Sequence, residues 1–285
     1  MEFTDKPLEP FGRKLLDISI PTQLSFKMPL VYRMVKELKS GGYLPWTGSH
    51  RAELCFDEAI TNAMIHGNKL DPARKVRVAL FADDERWGAI IEDEGNGFKP
   101  EDLPKPGAED FLLRETGRGI MLMDSYVERL AYNRKGNALF MTRRRQGEPE
   151  AAELEAAVET SPEEESAPSP AASAGPVAVT VEGEVAVVSL LAQRVNEDNV
   201  DEIRKAVADT TQSRLLVDLA HVEYISSRGV SALVSMRKMF DQRKGRLLLT
   251  GLQPSVRDIL KSLGLLALFK TAPDRKSALA ELQRP

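Results

Sequence analysis

The sequence predicts an α/β protein of two domains, and three observations predict it. Short strand-type runs alternate with helix-type runs in both halves of the chain. A stretch rich in Glu, Ala, Ser and Pro, with no aromatic residue and no Lys or Arg, separates the halves at residues 147–176. Such a segment cannot bury enough apolar surface to order itself, so it reads as a flexible, self-repelling acidic linker. The length of 285 residues suits two ordinary domains and a connector. The expected boundaries are 1–146, 147–176 and 177–285.

Composition narrows the function classes. At 42% hydrophobic and 29% charged, the chain is globular. A formal net charge of −4 argues against direct nucleic-acid binding. The single cysteine, Cys55, permits no intramolecular disulfide and no cysteine metal cluster, which fits a reducing compartment. The opening MEFTDKPLEPFGRK has no apolar signal core, and no run reaches the length of a membrane span. A cytoplasmic protein that does not enter membranes is expected.

In the first half, Ile18 and Ile20 alternate as in a strand, and Leu30 to Leu38 reads as a helix ended by Gly41-Gly42. The central segment is ELCFDEAITNAMIHGN, Glu53 to Asn68. It reads as one helix, with Ser49 as a cap and Gly67-Asn68 as the stop. Glu58 and Asn62 are four residues apart and share a face. They can serve a Mg-nucleotide, the amide oxygen on the metal and the carboxylate taking a proton, or they form a solvated polar pair.

Two strands follow, Lys75 to Phe81 and Trp87 to Glu92, the second running into Asp93-Glu94-Gly95-Asn96-Gly97. Glycines there permit close approach of a flat ligand, and the carboxylate can accept from an exocyclic amino group such as adenine carries. An ordinary hairpin turn would look similar. Phe98 to Glu115 is a Pro-rich loop of the length typical of lids. Gly117-Arg118-Gly119 then opens a helix with Ile120, Met123, Val127 and Leu130 on one side. This reads either as a phosphate cradle or as a plain loop-to-helix junction. A hairpin about Lys135-Gly136 closes the unit, and Arg143 to Arg145 read as its solvated end.

In the second half, Val179-Val181 and Val185-Leu191 form a hairpin, Asn196 to Ala208 is helical, and RLLVDL (214–219) and RLLLT (246–250) are buried strands. Ser226-Ser227-Arg228-Gly229 opens the helix Val230 to Arg243, and helices at Ser255 to Leu263 and Arg275 to Leu282 complete the chain. Ser227 at the helix start reads as an N-cap as well as a modification site.

Taken in order, Glu58/Asn62, Asp93-x-Gly95-x-Gly97 and Gly117-Arg118-Gly119 resemble the three nucleotide-binding boxes of the Bergerat-type ATPase fold. Residues 15–145 are most similar to the serine kinases of the anti-sigma factor family. The resemblance implies an α/β sandwich that binds ATP and Mg²⁺. Asn62 would be the Mg²⁺ ligand, Glu58 the general base towards a serine hydroxyl, and Asp93 the reader of the adenine amino group. Gly95 and Gly97 would form the purine wall, and Gly117, Arg118 and Gly119 the lid over the phosphates. Family members carry a Thr after the glycine of the last hairpin, whereas here Gly136 is followed by Asn137 and Ala138.

VDLAHVEYISSRGVSALVSMRKMF and the residues after it resemble the STAS domain of anti-sigma factor antagonists, a mixed sheet with packed helices. The resemblance implies Ser227 as phosphoacceptor, with Ser226 as the alternative. Ser226 and Arg228 depart from the acidic and hydroxyl residues usual on either side. Two functions are implied. One is an ATP-dependent protein-serine kinase and anti-sigma-type regulator fused to its antagonist-like module in partner-switching signalling. The other is a non-catalytic, nucleotide-responsive scaffold. The implied partners are STAS-domain or anti-sigma kinase proteins, a sigma factor, the chain's own STAS domain in cis, and a second copy as homodimer.

Overall fold

The computed structural model describes residues 1–45, 49–99, 118–145 and 175–284. Residues 147–174 of the acidic linker, the greater part of the Pro-rich loop, and Gly117 lie outside the described residues. The chain forms two compact units, each built on its own sheet.

The first unit has six strands in the order β1-β5-β6-β4-β3-β2. β2 (Arg13–Pro21), β3 (Lys75–Ala82), β4 (Arg86–Asp93), β6 (Ala138–Arg144) and β5 (Arg129–Asn133) form an antiparallel series. β1 (Glu2–Thr4) adds to β5 in parallel, which the short polar N-terminus did not announce. One sheet face carries Ala79, Phe81, Ile90, Ala131 and Phe140, covered by Leu8 and Phe11. Helices α1 (Lys27–Ser40) and α2 (His50–Thr61) belong to the opposite face, where Phe56 of α2 meets Trp87 of β4 at 5.5 Å between ring centroids.

Several sequence expectations shift here. The segment Glu53 to Asn68 is not one regular helix: α2 ends at Thr61 and Asn62–Gly67 continues as a π-helix. The wider turn needs i→i+5 bonding, seen in the Asn68 N–H donating to the Ala63 carbonyl at 2.8 Å. Ser49 stands at the N-cap position but makes no side-chain cap bond. Helix α3 (Arg118–Tyr126) is shorter than its apolar spacing suggested, and Leu130 belongs to β5. Arg143 is half-buried over the Tyr126 ring at 4.1 Å rather than solvated.

The second unit has a five-stranded sheet, β13-β12-β10-β8-β7. β7 (Val177–Glu182) and β8 (Val185–Leu190) form the expected antiparallel hairpin. β10 (Arg214–Asp218), β12 (Arg246–Thr250) and β13 (Lys270–Thr271) join in parallel. A small parallel pair, β9 (Arg194–Val195) with β11 (Tyr224–Ile225), stands apart. Helix α4 (Val200–Ala208) starts only at Val200, because Arg194 and Val195 are drawn into β9 and residues 196–199 form the turn. α5 (Ser227–Gln242) and α6 (Pro254–Ser262) follow, and α7 (Arg275–Gln283) covers Val185, Val187, Leu216 and Leu248. No helix among the described residues is long and apolar enough to cross a membrane.

A buried ion pair registers α1 against α2. Lys27 Nζ lies 2.6 Å from Asp57 Oδ1, with both side chains almost wholly buried, and also donates to Thr61 Oγ1 at 3.3 Å. Removing one partner strands the other charge, so Lys27→Met should cost about 3–5 kcal/mol in urea denaturation. The double substitution Lys27→Met with Asp57→Leu should recover much of that loss.

Candidate functional site

The site is built along α2 and its π-helical extension. Glu58, near the end of α2, is only 5% exposed. Asn62 sits at the junction where α-helix gives way to π-helix, and is half-buried. The change of pitch falls at Asn62, the second member of the polar pair, so Asn62 to Gly67 follow the wider π-helical winding. Beyond it, Lys69 (φ 58°) and Leu70 (φ 57°) are consecutive left-handed residues. That geometry is costly for non-glycine side chains, and it concentrates at functional sites.

Two flanking segments meet this helix through glycine. At the start of α3, a Cβ on Gly119 would collide with the Glu58 carboxylate. At the other end, a Cβ on Gly67 would land on the Asp93 carboxyl group, and one on Gly95 would strike the Gly67 carbonyl. The Glu58 segment, the Asp93 turn and the Gly119 helix start, which the sequence offered as three separate signals, therefore converge on one helix. Of the lid residues, Gly119 is placed in contact and Arg118 is the first residue of α3.

Asp93 ends β4 and is 8% exposed. Its Oδ1 accepts from the Gly95 N–H at 2.8 Å, and among the described residues Oδ2 accepts no hydrogen bond. Burial holds its carboxyl above the usual carboxylate range, against the lowering effect of the Gly95 bond and of Lys135. Gly97 takes φ +72° and approaches the Lys135 carbonyl so closely that no Cβ fits, which locks the turn to the last hairpin. Phe98 packs edge-on against Tyr132, whose ring also stacks on Phe3.

The sequence reading missed Gly67, Asn68 and Asn137. Gly67 and Asn68 looked like a mere stop signal, and Asn137 like an absent hydroxyl. In the structure the Asn137 amide nitrogen donates to the Asp93 carbonyl at 2.6 Å, so the position is filled by a different polar group.

In the second unit, Ser226 is the N-cap of α5: its Oγ accepts from the Gly229 N–H at 3.3 Å and its own N–H donates to the Val195 carbonyl at 2.8 Å. Ser226 is 1% exposed, whereas Ser227 is the first helical residue and half-buried. The capping role expected of Ser227 therefore falls to its neighbour. A Cβ on Gly229 would meet Ile225 and Val195, so glycine seats the helix start on β9 and β11.

Known proteins match both units. Residues 25–143 match the histidine kinase-like ATPase domain family, and residues 177–278 match the STAS domain family. A Bordetella bronchiseptica protein named as a candidate anti-sigma factor antagonist, BtrV, is 31% identical over 97 residues, covering 33% of this chain and 84% of that protein. The chain belongs to the anti-sigma factor antagonist family, and it carries a histidine kinase-like ATPase domain ahead of its STAS domain. The anti-sigma F factor of Oceanobacillus iheyensis is 30% identical over 91 residues, covering 30% of this chain and 62% of that protein's length. Among solved structures, an anti-sigma-factor antagonist (STAS) domain protein from Planctomyces limnophilus is 25% identical with a TM-score of 0.34, covering 37% of this chain and 96% of that one. An ATPase-like domain fused to a STAS antagonist domain fits partner-switching regulation.

The Asp93 environment gives a pH-dependent prediction. A carboxyl whose folded pKa is raised contributes stability below its unfolded pKa, and loses it as pH rises through the folded value. Asp93→Asn should therefore be at least as heat-stable as the wild type at pH 7, with the difference shrinking as pH falls towards 4. Melting curves at the two pH values check this.

Proposed function

We propose that the chain is an ATP-dependent protein-serine kinase of partner-switching signalling, with Glu58 as general base and the STAS serine Ser227 as acceptor. The single observation that carries this reading is the convergence on α2 and its π-helical extension: the Glu58 carboxylate lies against Gly119, and the extension ends, at Gly67, against Asp93. A nucleotide with its base at Asp93 and its phosphates under the start of α3 would run along that helix, past Asn62 to Glu58.

The residues present suit a magnesium ion. Among the described residues no cluster of three or more His, Cys, Asp or Glu could hold a metal. Mg²⁺ needs only one or two protein oxygens when substrate phosphates supply the rest, and the half-buried Asn62 offers one. When bound, the ion would neutralise charge on the β- and γ-phosphates. Glu58 takes the proton from the attacking serine hydroxyl as the new O–P bond forms and the bond from the γ-phosphorus to the β–γ bridging oxygen breaks, leaving ADP. Positioning and charge compensation dominate such transfers, so a buried carboxylate and rigid glycine contacts are what the chemistry asks for.

Ser227 is the better acceptor of the two serines. Ser226 is sealed in the interior with its oxygen occupied as a cap, so phosphorylation there would require the helix start to open. A phosphoryl group on Ser227 would sit at the N-terminus of α5, favoured by the helix dipole and beside Arg228. The acceptor could lie in this chain or in a STAS partner. The partners we infer are anti-sigma factors and their antagonists, a reading that the relatives' names support, with a sigma factor downstream and a second copy as further candidates.

Incubation with Mg-ATP followed by phosphopeptide mass spectrometry tests the reading. Phosphate should appear on Ser227, or on the matching serine of a STAS partner, and Glu58→Gln should slow it by roughly 10²–10⁴-fold. Ser226→Ala should cost about 1 kcal/mol of stability through the lost cap yet leave labelling intact. Tight ATP binding with no transfer to any STAS serine would favour the non-catalytic scaffold, as would equal labelling by Glu58→Gln.

A further inference from the structure

The Asp93–Glu94 peptide group is held from both sides by buried carboxamides. Its oxygen, the Asp93 carbonyl, accepts from Asn137 Nδ2 at 2.6 Å. Its nitrogen, the Glu94 N–H, donates to Asn68 Oδ1 at 2.8 Å. In a trans peptide these two groups point in opposite directions, so the two asparagines approach from opposite sides and fix the plane between them. The Asp93 N–H also donates to the Asn137 carbonyl at 2.9 Å.

Each asparagine is itself anchored. Asn68 is fully buried, and its Nδ2 donates to Thr22 Oγ1 at 2.8 Å and to the Lys75 carbonyl at 2.9 Å. Both amide hydrogens and the carbonyl oxygen are engaged, and aspartate, which has no N–H to donate, could not reproduce them. Asn137 Oδ1 accepts from Asn133 Nδ2 at 2.9 Å. Asn133 Oδ1 in turn gathers the N–H groups of Gly136, Asn137 and Ala138 at 2.8, 3.0 and 3.2 Å. One clamp therefore belongs to the end of the π-helix and the other to the last hairpin. The left-handed pair Lys69 and Leu70 follows directly on Asn68, so strained backbone is tolerated where the first clamp is delivered.

We infer that Asn68 and Asn137 are positioning residues that set base selectivity. They pin the peptide plane that orients Asp93, so that its unoccupied carboxylate oxygen is pre-aligned for the amino group of a purine before nucleotide arrives. This rests on the reading of the first unit as a nucleotide site, and it adds a role to two residues outside the three glycine-and-acid motifs. A carboxylate on a swinging turn would meet either an amino or a carbonyl edge after local adjustment. A carboxylate on a fixed plane accepts from an amino group and repels a carbonyl, which separates adenine from guanine at that edge.

The test is calorimetric titration of the full chain with ATP, GTP and inorganic tripolyphosphate, each with magnesium, for wild type, Asn137→Ala and Asn68→Ala. The wild type should favour ATP over GTP. Each variant should lose tenfold or more in ATP affinity and most of the ATP-to-GTP ratio, while tripolyphosphate binding stays within about twofold of wild type. Amide hydrogen exchange should quicken at residues 93–97 in both variants with the rest of the unit protected, and this readout does not depend on ligand. An unchanged ATP-to-GTP ratio in both variants would overturn the positioning role and leave the nucleotide site standing. So would parallel loss of all three ligands, or exchange that quickens throughout the unit. A wild type that binds ATP no better than tripolyphosphate, or binds neither, would overturn the site reading itself.

Discussion

The close approach of backbone to carboxylate at Gly119 and Gly67 is the constraint on which the first unit depends. At both places a single methyl group would occupy the space of a carboxylate oxygen. Helix α2 and its π-helical extension can therefore touch the start of α3 at one end and the turn after β4 at the other only because both contacts lack a side chain. The sheet supplies the reason these contacts are reproducible. β3, β4 and β6 pair in antiparallel register over most of their lengths, so Asp93 emerges at a defined height beside Val76 and Glu92 beside Ala138.

The two units use the same device for different ends. In the first, glycines bring carboxylates against a helix. In the second, Gly229 brings the start of α5 against β9 and β11, while Ser226 caps it and Ser227, half-buried, is the first helical residue. Which of the two adjacent serines caps the helix could not be apportioned from the sequence alone, because either residue satisfies the preference for a hydroxyl at a helix start.

Much of the architecture was legible in the sequence because period and punctuation agree. β3 and β4 are read from alternation, β10 and β12 from short apolar runs, and the β7–β8 hairpin from Glu182-Gly183-Glu184. What stayed hidden depends on long-range partners. β1 is three residues of ordinary composition that become a strand only by pairing with β5. The π-helix shares its apolar spacing with an α-helix over one turn, so only the observed i→i+5 bond distinguishes them. Asn137 looked like a lost hydroxyl because spacing says nothing of how far a carboxamide reaches, and Asn68 looked like punctuation because its three partners lie on β3, on the turn after β4, and next to the end of β2.

Cys55 has a consequence of another kind. It is the sole thiol of the chain, it is wholly buried in α2, and burial pushes its pKa far above the ordinary thiol range. An alkylating reagent can reach it only when α2 lifts from the sheet, and then only at one atom per molecule. The wild-type chain therefore carries an internal clock for breathing of the very helix that holds Glu58 and leads into Asn62, readable without any engineered label.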